Sequence, residues 1–418
     1  MPDRVVLTHP EAWAPQQIQV LTDAARAAGI PAERITTISE PRAAAGHYSR
    51  SHALQHGTRI AVFDFGGGTL DIAVLEVTPT NAFQVIAARG DVGVAVFFAL
   101  SAFLLVGPWW PDPVAPRTRP GAGRYALRRA GRLLPAYWVA FIGVLAVGAA
   151  VGGRTGARPL PGVHLIGDAL LLQGFTQVTP QTFTQTWSLT TELCFYATVP
   201  ALGAVLARRR AATVLAAAAV LGIAVQGLVA AGLGHGRVGA ALGMSLLGHA
   251  AWFAVGIAVL GLRRGGRRLP VPDDGGTWIL VAAAAFALSC TPLASPGTGP
   301  GGLAAPHPGQ AMAKEALFAL VAGALLLAAT VPGRSPAWVA APLVRHLGRV
   351  SYGVFLWHLV VLQVVFAGLR LPLFGAPFGW VLVLVTTATV AVASLSWRFV
   401  EAPAIRATHR DDRAGARP

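Results

Sequence analysis

From Val92 onward the chain is a succession of long apolar runs separated by short polar loops, and before Val92 it is not. Nine runs, 92–110, 133–152, 188–206, 212–234, 239–262, 276–293, 312–331, 350–369 and 377–397, approach the ~20 residues a helix needs to cross the hydrocarbon core of a bilayer. Segment 163–175 is shorter and reads as interfacial or re-entrant. In residues 1–91 the pattern changes. Gln16–Gly29 has helical spacing and stops at a glycine. Ile60–Phe65 and Leu70–Val77 are rich in β-branched and apolar residues and flank Gly66-Gly67-Gly68, which predicts a hairpin. No window in 1–91 has the length and apolarity of a span, and no basic start precedes an apolar signal core. The pattern predicts a mainly α-helical polytopic membrane bundle of about nine transmembrane helices, preceded by a small α/β segment.

Composition agrees. Of 418 residues 54% are hydrophobic and 12% charged, and the mean hydropathy is +0.57. A soluble globular chain carries about 25% charged residues. Disordered, fibrous and coiled-coil classes are excluded, and an ordinary cytosolic enzyme is disfavoured. Cys194 and Cys290 are too few for a disulfide framework and lie in no metal-type cluster.

Charge divides the chain where hydropathy does. Residues 1–91 carry seven Arg against nine Asp/Glu, whereas 92–418 carry 26 Lys/Arg against nine Asp/Glu. The arginines of the second part fall in short loops, the membrane-protein distribution, so no nucleic-acid partner is expected. Arginine-rich loops (Arg117 to Arg132; Arg208 to Arg210; Arg263 to Arg268; Arg334, Arg345 and Arg349) alternate with poor ones, and the tail after residue 405 is again rich. The positive-inside rule then places the C-terminus in the cytoplasm of a multi-pass cell-membrane protein. Nine spans with an inside C-terminus would leave residues 1–91 outside, so one span is expected to be missing before Val92.

Three clusters in the membrane part carry candidate chemistry. The first is Arg124-Tyr-Ala-Leu-Arg128-Arg129-Ala-Gly-Arg132-Leu-Leu-Pro135-Ala-Tyr137-Trp138, at the cytoplasmic mouth of a span. Guanidinium forks match phosphate oxygens, so Arg124, Arg128, Arg129 and Arg132 are candidates for gripping coenzyme A, although topology alone also explains them. The second is Thr186-Trp187-Ser188-Leu-Thr-Thr-Glu192, a carboxylate one turn inside a span. An intramembrane carboxylate costs a few kcal/mol and must face a partner or a wet cavity. The third is Arg349-Val-Ser351-Tyr352-Gly353-Val-Phe-Leu-Trp357-His358, with His358 a candidate general base. Trp187, Ser188, Tyr352 and Trp357 are read as substrate- or CoA-contacting, or else as helix-packing residues. Glu192 is read near the outer face and His358 nearer the inner one.

These clusters, together with Gly93-Val-Ala-Val-Phe97-Phe98-Ala-Leu-Ser101 and Trp397-Arg398-Phe-Val-Glu401, resemble the acyltransferase-3 family of integral membrane O-acyltransferases over residues ~93–405. Ala102 stands where the family has glycine. The resemblance implies ten spans and transfer of an acyl group, commonly acetyl, from acyl-CoA to a hydroxyl of a carbohydrate, lipid or secondary metabolite. It also implies a base histidine on a first span, which this reading does not find. The expectation is an acyltransferase with catalytic Glu192 and His358 and little turnover. A non-enzymatic membrane transporter is the rival reading.

Residues 60–77 offer different chemistry. Gly66, Gly67 and Gly68 allow close backbone approach to a phosphate, Thr69 adds a hydroxyl, and Asp64 and Asp71 flank the turn where water-mediated Mg²⁺ would sit. With Val5-Val6-Leu7-Thr8-His9-Pro10, the helix ending at Gly29, and Ser39-Glu40-Pro41-Arg42, this segment resembles an internal slice of the nucleotide-binding domain of DnaK-type heat-shock chaperones, of the actin-like ATPase fold. The resemblance implies that Glu40, Asp64, Gly66, Gly67, Gly68, Thr69 and Asp71 face ATP and magnesium. An ATP-binding, chaperone-like protein is therefore a second rival, with weak ATP binding expected because ~90 residues bury little core. The expected organisation is a partial nucleotide-binding lobe over 1–91, a membrane acyltransferase domain over 92–405 and a basic cytoplasmic tail over 406–418.

Overall fold

The computed structural model describes residues 5–9, 15–39, 42, 43, 45, 46, 49, 55, 59–64, 71–77, 83–88, 91–110, 121–155, 162–176, 181–206, 211–234, 236–264, 274–295, 298–299, 302–303, 306–331, 340–370 and 378–409. The chain divides into two compact units, Met1–Leu104 with Ala212–Thr330, and Leu105–Ala211 with Val331–Pro418.

The first unit opens with a small α/β segment. Strands Val5–His9 and Ile35–Ser39 pair in parallel, Val5 opposite Ile35. Between them runs the helix Pro15–Ala27, close to its expected extent. It stops because Gly29 takes φ +87°, which lets Ile30 N donate to Ala25 O. The expected hairpin is present as Arg59–Asp64 against Asp71–Val77, and a third antiparallel strand, Phe83–Ala88, extends it.

The helices of this unit meet through small residues. Gly275–Ser289 packs on Pro308–Ala329 through Ala282, Ala285 and Ala324 with Val321. A Cβ on Gly256 would collide with the Ala99 carbonyl, so the helices Val92–Val106 and Ala250–Arg264 touch backbone to backbone there. Phe98 stacks on Phe253 at 4.5 Å between ring centres. His249 Nδ1 lies 3.3 Å from Glu315 Oε2, and the Trp252 indole N–H donates to the Glu315 carbonyl. The single lysine, Lys314, pairs with Asp91.

Among the described residues, six helices are long and apolar enough to cross a membrane: Ala122–Ala150, Phe183–Leu206, Ala211–Ala230, Pro308–Ala329, Pro342–Gly368 and Gly379–Thr408. The expected nine is therefore not confirmed, and the difference lies in three of the runs. Runs 92–110 and 276–293 become the 15-residue helices Val92–Val106 and Gly275–Ser289. At 1.5 Å per residue each is ~22 Å long, short of the ~30 Å hydrocarbon core. Run 239–262 breaks into Arg237–Gly243 and Ala250–Arg264. The break contains Gly243, Ser245 and Gly248, residues with weak helix preference. Its open carbonyls are answered from another helix: Gln226 Nε2 donates to Gly243 O at 2.8 Å and to Gly248 O at 3.0 Å. Segment 163–175 forms two short helices, Gly162–Ala169 and Gln173–Thr176, outside the six.

The second unit is built on Ala122–Thr155, Trp187–Leu206, Pro342–Gly368 and Phe378–Ser396. Its core joins Tyr137, Phe141, Phe183, Leu189, Leu356 and Val360. Gly353 lies against Ala393 and Gly143 against the Trp357 ring, so small residues again set helix approach. The last helix is interrupted by a π-helical turn, Trp397–Glu401, before Ala402–His409, whose Thr408 packs on Gly131.

Replacing Gln226 by Leu removes the donor that serves two carbonyls at the break. We expect a loss of ~1–3 kcal/mol, read as earlier thermal unfolding of the purified protein in detergent. Unchanged unfolding would mean that these carbonyls need no partner.

Candidate functional site

The site residues lie in the second unit, where three polar groups surround the hydrophobic core. The first is a cavity of about 540 Å³ lined by Arg132, Arg345, Gly348, Arg349 and Trp397. Arg132 comes from the 122–155 helix and Arg345, Gly348 and Arg349 from the first turns of the 342–368 helix. Trp397 opens the π-turn. The extra residue of a π-turn turns a side chain away from the ordinary helical position, a device frequent at functional sites. The same turn buries Glu401, which accepts from Ser396 Oγ and lies within electrostatic reach of Arg132.

The second group centres on Glu192, fully buried in the 187–206 helix. One turn later Tyr196 hydrogen-bonds it, and Arg129 and Tyr125 lie within electrostatic reach of that pair. Tyr352 joins the two groups. Its hydroxyl donates to Leu133 O at 3.0 Å, and it lies within electrostatic reach of Tyr196, Glu401, Tyr137 and Arg132. A polar seam thus runs from the arginine-lined cavity through Tyr352 and Tyr196 to Glu192.

The third group surrounds Tyr137. Its hydroxyl donates to Asp168 O at 2.5 Å, and Gln173 and Thr186 hydrogen-bond it from the side. Asp168 is fully buried, and burial pushes its carboxyl up to about 7. Gln173 Nε2 donates to Thr186 O, and Thr190 Oγ1 donates to Leu171 O and accepts from Gly174 N. Gln185 Nε2 reaches across to the carbonyls of Phe355 and Leu356.

The residues singled out from the sequence divide accordingly. Arg132, Arg129, Glu192 and Tyr352 belong to the cavity and seam. Arg124 is exposed and Arg128 half-buried on the same helix. Trp187 starts its helix half-buried, and Ser188, buried, donates to Gln185 O. Trp357 packs its ring on Gly143. The His358 ring nitrogen Nδ1 meets Val354 O of its own helix at 3.1 Å, so its polar contact is local. Of the nucleotide-site residues, Glu40, Gly66, Gly67, Gly68 and Thr69 lie outside the described residues, while Asp64 and Asp71 face each other as backbone partners at the hairpin end.

Arg345, Arg349, Trp397 and Asp168 were missed as site residues. The arginines were visible in a basic loop used for topology, and Trp397 in the last motif. Asp168 is the one carboxylate between Asp112 and Glu192, and so stood out in an apolar stretch.

Comparison with known families follows the same division. The model of the Hsp70 protein family matches residues 3–95, the segment of the small sheets. The acyltransferase domain model matches residues 55–398, overlapping that segment and running through the π-turn. No solved structure matches the chain. With most of its length covered, including every residue of the cavity and the seam up to Trp397, the chain belongs to the acyltransferase-3 family.

Proposed function

We propose that this membrane acyltransferase takes its acyl group, acetyl in the simplest case, from acyl-CoA and transfers it to a hydroxyl of a carbohydrate, lipid or secondary metabolite. The observation that carries the reading is the cavity at the end of the seam. Three guanidinium groups and an indole suit the charged end of coenzyme A: the forks pair with its phosphates and the ring offers a stacking face for adenine. The seam then leads toward Glu192, a buried carboxylate among tyrosines. In this reading Glu192, with Arg129 in reach, orients the acceptor, and Tyr125, whose hydroxyl has no hydrogen-bond partner among the described residues, supplies a donor for the developing oxyanion. Arg124 and Arg128 add positive potential at the mouth. His358, turned onto its own helix, would need a changed rotamer to act as base.

The test is acyl-CoA binding by calorimetry in detergent at low salt. Arg345→Ala and Arg349→Ala should each weaken binding about 10–100-fold, the cost of a hydrogen-bonded charge. Dephospho-CoA should lose less on the same substitutions. A double variant that binds like the wild type would overturn the assignment.

Turnover is a separate matter. Inside the acyltransferase match, residues 59–64, 71–77 and 83–88 are strands, whereas the family resemblance implies a first span with the base histidine there. General-base catalysis contributes ~10²–10⁴ in rate. We therefore expect little transfer by the purified chain and recovery when a first span of a family member is grafted before Val92. Full turnover without the graft would refute this. For residues 1–91 the actin-like ATPase fold and an ATP·Mg site remain a proposal that the Hsp70 match supports. The limited match favours weak nucleotide binding. Arginine-rich loops and tail give the orientation: a reporter fused after Pro418 should be active on the cytoplasmic side only.

A further inference from the structure

We propose that Asp168 and Gln173 form a hydroxyl-binding subsite for the acyl acceptor, one that takes a polyol by accepting hydrogen bonds from its hydroxyl groups. The proposal rests on the acyl-transfer reading and names the part of the site that receives the acceptor.

Donors and acceptors are mismatched around Asp168. Asp168 is 0% exposed, and neither of its carboxylate oxygens has a hydrogen-bond partner among the described residues. Gln173 is 1% exposed; its amide N–H goes to Thr186 O, which leaves Oε1 without a partner. Both residues border the Tyr137 hydroxyl, whose proton is already engaged by the Asp168 backbone carbonyl. Three side-chain oxygens able to accept are therefore gathered where the described residues supply no donor to them. A buried acceptor without a donor is costly, so the complement must arrive with the ligand. Tyr137 is the titratable neighbour; among the described residues no lysine, arginine or histidine acts on the Asp168 carboxyl. Among the described residues no three His, Cys, Asp or Glu side chains gather to hold a metal ion. A neutral group rich in O–H donors fits the lining better than a metal ion or an anion.

The backbone supports a built site. Leu171, between the two residues, has φ +57°, a conformation that a branched side chain rarely adopts. Thr190 holds it there through Leu171 O and Gly174 N, at 2.8 and 3.0 Å. Strain of this kind persists where the surrounding structure over-determines it, and it clusters at ligand sites. Thr190 also belongs to the helix of Ser188 and Glu192, so the subsite and the polar seam share one rigid support. Burial raises the Asp168 carboxyl to about 7, and in either protonation state one of its oxygens can accept from a hydroxyl.

The probe is methyl β-D-glucopyranoside, with its tetra-O-methyl ether as the donor-free control. Binding is read as ligand-dependent protection against thermal unfolding of the purified full chain in detergent. The glucoside should protect the wild type and the ether should not. Asp168→Asn should weaken protection about tenfold, and Asp168→Leu combined with Gln173→Leu should abolish it. Acyl-CoA affinity serves as the folding control and should be unchanged in every variant. Equal protection by ether and glucoside, glucoside protection retained in the double Leu variant, or no protection of a wild type that binds acyl-CoA would each overturn the proposal. Loss of acyl-CoA binding by the wild type would instead refute the acyl-transfer reading beneath it.

Discussion

Hydrocarbon offers no water to a backbone carbonyl, and this chain answers the exposed ones with side chains from other segments. Gln226 serves the break at 243–248, and Arg263 serves Leu327 O. Tyr352 serves Leu133 O, Gln185 the carbonyls of Phe355 and Leu356, and Tyr137 that of Asp168. Each bond joins pieces that apolar packing alone would leave free to slide, because lipid tails are as apolar as the helices themselves. Several polar residues of the second unit therefore hold the fold together while lying in or beside the candidate site. The bonds that fix Tyr352 and Gln173 in place also decide which of their neighbours keep unused acceptors.

That double role explains the shape of the site. Glycine and alanine contacts bring helices close, as at Gly353 with Ala393, and leave little room for a cavity between them. The two polar groups lie where the regular helix is disturbed. The arginine-lined cavity lies beside the π-turn, and the Asp168 group lies beside the strained turn at Leu171. Regular helix supplies the rigid frame, and the candidate site gathers at its irregularities.

The sequence carried the elements better than their lengths. Apolar runs marked every long helix, and the hairpin around Gly66 to Gly68 was legible from its β-branched flanks. Hydropathy could not see that 239–262 breaks, because Gly243, Ser245 and Gly248 are ordinary in membrane helices and the donor that permits the break, Gln226, lies on a different one. Glu192 and Arg132 were legible as charges that apolar surroundings must explain. Arg345 and Arg349 were not, since loop topology accounts for a basic residue as well as a ligand does. For His358, spacing gives depth along a helix, whereas the rotamer that meets Val354 O belongs to local geometry.

The π-turn has an implication for how the C-terminal segment tolerates change in length. A π-turn holds one residue more than the α-helix it interrupts, and each residue of an α-helix advances the phase by about 100°. Deleting a single residue between Trp397 and Glu401 would restore a continuous α-helix without cutting the chain. It would also rotate Ala402–His409 by roughly a quarter to a third of a revolution. Thr408 would leave Gly131, and the face that docks on the 122–155 helix would look elsewhere. Ala402–His409 is thus indexed by helical phase, and the register of these eight docked residues depends on one inserted residue twelve or fewer positions upstream.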